Sequence, residues 1–306
     1  MAGYEQFEVA VSGGRLAVGR WGSGPRVLWG GHGLTGNHRS FGALARALGP
    51  QFTLITPDLR GRAGSAALGG PYGLAAHAAD AVAVLDHLGL DRVEFVGHAV
   101  GGYVAAEVAV GYPDRVARLL LLDGGLPFAP DLDPGTDLRE VAIASVNPGR
   151  LDRRFPSAQA YLDSWRAHPS VGPYWNDVFE QTYRYDLTGG PDDLHPSSDK
   201  EAVTVDCMDQ IGHSAATAAK LTNVPITFLW ASHGLADQTP GLYTEAAVEG
   251  WCERLPQVRA ERAEGLNHMT LLMTDKGARL VAAALDRKST RLNSSHDELS
   301  RMPSSA

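Results

Sequence analysis

The chain is poor in cysteine. Only Cys207 and Cys252 occur among its 306 residues, in unrelated segments. No disulfide framework is expected, and two free thiols in a reducing, cytoplasmic compartment are. Dense runs of lysine or arginine are absent too, and the net charge is −8, which does not suit nucleic-acid binding. The opening stretch MAGYEQFEVAVSGG has no basic segment ahead of an apolar core, so it does not read as a signal peptide. No apolar run approaches the length of a bilayer span, and no membrane partner is expected. No pair of histidines has zinc-ligand spacing, so no metal is expected. The Walker spacing and its lysine are missing as well, which disfavours a phosphate loop.

What is present is 44% hydrophobic and 20% charged, an ordinary balance for a globular enzyme. The length suits one large domain or a domain with an insertion. FEVAVS and RLAVGRWG read as an opening hairpin about Ser12-Gly13-Gly14. RVLWGGHG, FTLITPDLRG, RVEFVGH and VARLLLLDGG read as buried strands. SFGALARALG, with Ser40 as its N-cap, and YGLAAHAADAVAVLDHLGL read as the helices between them. Strands apolar on both faces, separated by helices, imply a parallel sheet covered on both sides. The alternation stops after Gly125. Residues 126–215 are rich in Pro, Asp and aromatics, with helical pieces expected at 137–146, 157–167 and 172–184. Strand and helix resume with VPITFLWAS, TEAAVEGWCERL, QVRAERAEG and a last helix near 270–287. The stretch 289–306 is polar, Ser-rich and without periodicity, and reads as a non-native tail that cannot fold alone.

Four local patterns carry chemistry. VGHAVGG at 96–102 is a sharp glycine turn between a strand and a helix, with Ala99 at its centre. GGHGLTGN at 30–37 follows a strand. EGLNHMT at 264–270 places His268 between a strand and the last helix. WASHGLADQTPG follows another strand and contains Asp237. Together, and over about residues 5–287, they resemble the α/β-hydrolase superfamily.

The resemblance implies a mostly parallel, doubly wound α/β sheet. Residues 1–125 and 216–288 would form the core and 126–215 a helical cap. It also implies a nucleophile at the elbow Gly97-His98-Ala99-Val100-Gly101, a base and an acid, without any cofactor. The implied assignments are position 99 for the nucleophile, His268 for the base and Asp237 for the acid, with Asp123 as the alternative acid. The backbone N–H groups of Leu34 and Val100 are the implied oxyanion donors. His32, Asp58 and Arg60 fall at structural positions of the loops, and Ala63 stands where a glycine is common. Gly33, His98, Trp165, Trp175 and Tyr183 are expected to line a pocket for a small apolar ester or lactone.

The departure is Ala99, which has no nucleophilic atom. Three readings are open. Ala99 stands in for a catalytic serine, leaving an inactive serine hydrolase. It stands in for the Asp of a dehalogenase or epoxide hydrolase. Or it is native, in a ligand-binding homologue without catalysis.

Overall fold

The structure is a computed structural model, and it describes residues 3–128, 135, 137–191 and 193–287. The 289–306 tail and residues 129–134 of the expected cap lie outside the described residues. In chain order the first half comprises β1 (Tyr4–Val11), β2 (Gly14–Trp21), β3 (Arg26–Gly31), α1 (Gly42–Ala47), β4 (Phe52–Pro57), α2 (Leu74–His87), β5 (Val93–His98), α3 (Val100–Gly111) and β6 (Val116–Leu122). Then come α4 (Leu138–Val146), α5 (Ala158–Arg166), α6 (Asp177–Asp186), β7 (Leu187–Thr188), β8 (His195–Pro196) and α7 (Lys200–Ala218). The chain closes with β9 (Ile226–His233), α8 (Glu245–Arg254), β10 (Val258–Asn267), α9 (Thr270–Met273) and α10 (Asp275–Asp286).

Eight strands form one sheet in the order β1-β2-β4-β3-β5-β6-β9-β10. The hairpin β1–β2 and the β2–β4 pair are antiparallel, and the other pairs are parallel. β4 is buried along its whole length, as expected for a strand covered on both faces. From β3 the chain steps to β4 on one side, then returns to β5 on the other. That reversal opens a crevice at the carboxyl ends of β3 and β5, where open α/β sheets bind ligands.

Among the described residues two large apolar cores flank the sheet, and a smaller one, including Val9, Leu16 and Val84, lies beneath the β1–β2 hairpin. Of the large cores, one joins β5 and β6 to α2, α3 and α8 through residues such as Phe95, Leu85, Val104 and Trp251. The other runs from Leu44 of α1 and Val281 of α10 into Tyr161, Phe179 and Tyr183 of α5 and α6. Helices α5 and α6 therefore share a core with one sheet face. The starts of α5, α6 and α7 are capped by side chains: Ser157 accepts from Ala160 N, Asn176 from Val178 N and Phe179 N, and Asp199 from Ala202 N. Each satisfies amides that a helix start leaves unpaired.

Several boundaries differ from the sequence reading. α7 crosses the boundary expected at 215, and it is a helix the sequence reading did not resolve. The region also contains the short pair β7–β8. The last helix is two, broken at Thr274, whose side chain caps α10. Ser40 caps no helix. Asn37 caps the 3-10 turn before α1, and the Ser40 hydroxyl donates to the Asn37 carbonyl.

Candidate active site

The elbow is built by backbone crowding. A Cβ on Gly101 would lie 2.1 Å from the Gly31 carbonyl oxygen, and one on Gly97 would lie 2.4 Å from the Gly101 oxygen. Only glycine lets β3, β5 and α3 approach this closely. Ala99 sits between them at φ 50° and ψ −120°. A non-glycine residue there costs about 1–3 kcal/mol and persists only where its surroundings enforce it. They do: Ala99 N donates to Leu122 O, Gly102 N to Ala99 O and Gly101 N to His32 O. The strained turn is thus kept although its central side chain is a methyl group.

His268 follows β10. Its Nδ1 lies 2.7 Å from Asp123 Oδ2, and Asp123 Oδ1 accepts from Ala231 N at 3.0 Å. Both side chains are buried. The expectation that Asp237 would hold the far nitrogen of His268 is not met, and Asp123 occupies that place. The sheet register explains this. His98 pairs with Leu122 across β5 and β6, so Asp123 is the next residue on and lies beside the elbow. Asp237 is four residues beyond β9 and accepts from Asn267 Nδ2 at 2.8 Å and from Tyr174 OH at 3.0 Å. It ties the loop after β9 to the turn Gly172–Tyr174.

The remaining expected residues are distributed as follows. Gly33, Leu34, His98, Ala99, Val100, Trp165, Tyr183 and His268 line one cavity of about 440 Å³. Trp175 does not. It stacks on Phe179 at 6.2 Å with the Arg166 guanidinium 4.4 Å from its ring centre, behind the cavity wall. Among the described residues neither the Leu34 nor the Val100 amide donates to a protein acceptor. Val100 is the first residue of α3, where an amide has no intrahelical partner and the helix dipole is positive.

Burial pushes the His98 imidazole down to about 3, helped by the neighbouring His268. Neutral His98 donates through Nε2 to the His268 carbonyl at 2.8 Å, which anchors the backbone of the His268 loop. Burial likewise lowers His32 to about 4. Its Nδ1 donates to Gly33 O and its Nε2 accepts from Leu59 N, fixing the loop after β3. Asp58 accepts from His38, Gly64 N and Tyr185 OH, and Arg60 pairs with Asp80. Ala63 adopts φ 42°, the left-handed region a glycine would favour.

The sequence reading missed the polar residues on the cavity's outer wall: Arg150, His168, Thr182, Asp186 and Gln210. One signal was available. Thr182 and Asp186 are four residues apart, beside Val178, Phe179 and Tyr183, on the buried face of α6. Polar side chains on such a face need a reason. Arg150, in a short 3-10 turn, carried no comparable signal.

A model of the alpha/beta hydrolase fold matches residues 32–186. Lipase LipV of Mycobacterium tuberculosis is 36% identical over 152 residues, covering 49% of this chain and 56% of the lipase. The 3-hydroxybutyrate-oligomer hydrolase of Cupriavidus necator is 33% identical over 120 residues, covering 38% of this chain and 41% of that protein. The chain thus spans about half the length of these relatives. The structure of E-2-(acetamidomethylene)succinate hydrolase superposes with a TM-score of 0.76 at 19% identity, covering 93% of this chain and 100% of that one, a likeness of fold. Sheet order, glycine-locked elbow and family match agree: the chain belongs to the alpha/beta hydrolase fold family.

Proposed function

We propose that this chain carries the site of a carboxylic ester or lactone hydrolase in which Ala99 occupies the place of a serine nucleophile. The observation that supports this most directly is the retention of a strained elbow beside a buried His268–Asp123 pair. In this reading a serine hydroxyl at 99 attacks the acyl carbon while His268 takes its proton. His268 returns that proton to the leaving alcohol and then activates water for the second step. Asp123 holds the imidazole tautomer and stabilises its charged form. The Leu34 and Val100 amides receive the oxyanion. Helices α5 to α7 exclude water from an apolar acyl group. A lipase and an oligomer hydrolase among the relatives add support. With alanine at 99, the chain binds its substrate without turning it over.

Ala99→Ser tests the reading on a panel of aryl esters, acyl esters and lactones. Loss of such a serine costs about a million-fold in turnover elsewhere, so the expected gain is large, and adding His268→Ala abolishes it. A folded Ala99→Ser protein that binds a panel member yet stays at the Ala99 blank overturns the serine reading. Dehalogenation or epoxide opening by Ala99→Asp would instead favour the carboxylate branch. If neither variant acts, a native ligand-binding role, which the alanine itself favours, takes its place.

A further inference from the structure

The cavity wall contributed by α6 is polar in an unexpected way. Tyr183 is 6% exposed and Thr182 is 3% exposed, and both line the cavity. Among the described residues neither hydroxyl has a hydrogen-bond partner. A buried polar group left unpaired costs about 1–3 kcal/mol, and phenylalanine at 183 would keep the same packing without that cost. The Tyr183 ring is also held firmly. It stacks on Trp165 at 4.1 Å and 10°, and on Phe179 at 6.3 Å and 15°. Its hydroxyl is therefore fixed in position, and burial raises its pKa so that it stays a donor.

Arg150 lines the same cavity. Its Nε donates to Val146 O at 3.2 Å and its Nη2 to Thr35 Oγ1 at 3.1 Å. Among the described residues no carboxylate forms an ion pair with it, whereas most other buried or half-buried arginines here have one, such as Arg60 with Asp80 and Arg62 with Asp206. The nearby Asp186 carboxylate is taken up by Tyr161 OH and Ser197 Oγ. His168, also in the wall, is held below its usual pKa by burial and by Arg150, so it adds no second cation at neutral pH. The Arg150 guanidinium thus lines a mostly apolar cavity together with Tyr183 and Thr182, whose buried hydroxyls are unpaired, while the neighbouring Asp186 carboxylate is already engaged by Tyr161 and Ser197. A guanidinium fork matches a carboxylate bidentately, and such charge-assisted bonds are the strong ones.

We propose that Arg150, Tyr183 and Thr182 form a carboxylate-binding subsite, so that the substrate is an ester carrying a free carboxylate remote from the scissile bond. The proposal rests on the reading of this cavity as an acyl-ester site, and it is tested by binding, which needs no turnover. The full-length Ala99 protein is titrated calorimetrically with benzyl hydrogen glutarate and with benzyl methyl glutarate, its uncharged counterpart. The hemiester is expected to bind about tenfold more tightly or better. Arg150→Gln removes that preference and leaves the neutral diester's affinity unchanged within about twofold. Arg150→Lys keeps part of it, and Tyr183→Phe reduces it by about threefold.

Equal affinity for the two esters overturns the proposal. So does binding of neither, or a preference that survives Arg150→Gln. Equal weakening of both ligands by Arg150→Gln also overturns it, because Arg150 would then serve only to hold the Thr35 loop. Should Arg150→Gln fail to fold, Tyr183→Phe decides, since it keeps the ring stack: an unchanged preference sinks the subsite. If Ala99→Ser fails to hydrolyse esters while the carboxylate preference holds, the catalytic reading falls and the subsite stands.

Discussion

Asp123 and Asp237 lie in the loops that follow the neighbouring parallel strands β6 and β9, and adopt the same unusual backbone, with φ of 49° and 61°. Each reaches the C-terminal end of β10: Asp123 bonds His268, just past the strand, and Asp237 bonds Asn267, its last residue. Their surroundings separate them. Asp123 is 2% exposed and accepts from one amide and one imidazole. Asp237 is half-buried at the rim and accepts from an amide side chain and from Tyr174, which is 38% exposed. A carboxylate beside an imidazole in a low-dielectric interior stabilises charge that forms there, whereas one at the rim is screened by water. The same backbone device thus sets a carboxylate against a buried imidazole in one loop and tethers two loops in the other.

The sharpest way to break this contrast is in the Ala99→Ser background. Asp123→Asn should lower kcat by about 10⁴-fold, because the amide favours the wrong imidazole tautomer. Asp237→Asn should stay within about threefold, because its bonds are at the rim. Steady-state rates on an aryl ester measure both. The opposite ranking would return the acid role to Asp237.

That ranking was not legible in the sequence, and the reason is physical. The elbow was legible because close approach of three chain segments demands glycine at 97 and 101. The sheet was legible because strands covered on both faces are apolar throughout. The choice of acid depends on where the His268 loop lands, which is a long-range fact. LLLLDGG and GLADQ each offer an aspartate after a strand, and only the β5–β6 register puts Asp123 beside Ala99. Arg150 was illegible for a similar reason. Its side chain reaches the cavity through a 3-10 turn packed against α7, and nothing local marks it. Ala63 was marked as a departure, and its left-handed φ is what a glycine would relieve.

A third aspartate sharpens the comparison. Asp206 of α7 is buried, and burial alone would raise its pKa. Arg62 and His77 outweigh burial and bring it from 3.8 to about 2. Its oxygens lie 2.6 Å from Arg62, a close ion pair without hydrogen-bond alignment, and 2.8 Å from His77. Because the folded pKa is depressed, the stabilisation is complete above the unfolded value near 4 and is lost as pH falls toward 2. The size is roughly 2 kcal/mol. Asp206→Asn should therefore lower stability at neutral pH by about that amount and flatten the decline between about pH 4 and 2. Asp237→Asn should leave that limb unchanged. Urea unfolding across the range checks this, and parallel curves for Asp206→Asn and the parent would remove Asp206 as the tie between α7 and the Arg62 loop.

The smallest effect is expected at the rim. Tyr174→Phe deletes the hydroxyl that donates to Asp237 and leaves the ring in place. A hydrogen bond to an exposed carboxylate contributes about 0–1 kcal/mol, so the melting temperature should move by only about 2 °C or less. The change should be local instead. The turn Gly172–Tyr174 keeps its packing through Val171, which is fully buried, yet loses its tie to the loop after β9. Amide exchange in residues 172–176 should quicken by about threefold, while α3 beneath the elbow stays protected. Asn267 holds Asp237 on its other oxygen, so the loop after β9 should respond less than the turn does. Exchange that quickens equally in α3 would mean that Asp237 supports the catalytic floor after all, and the division of labour between the two aspartates would fail.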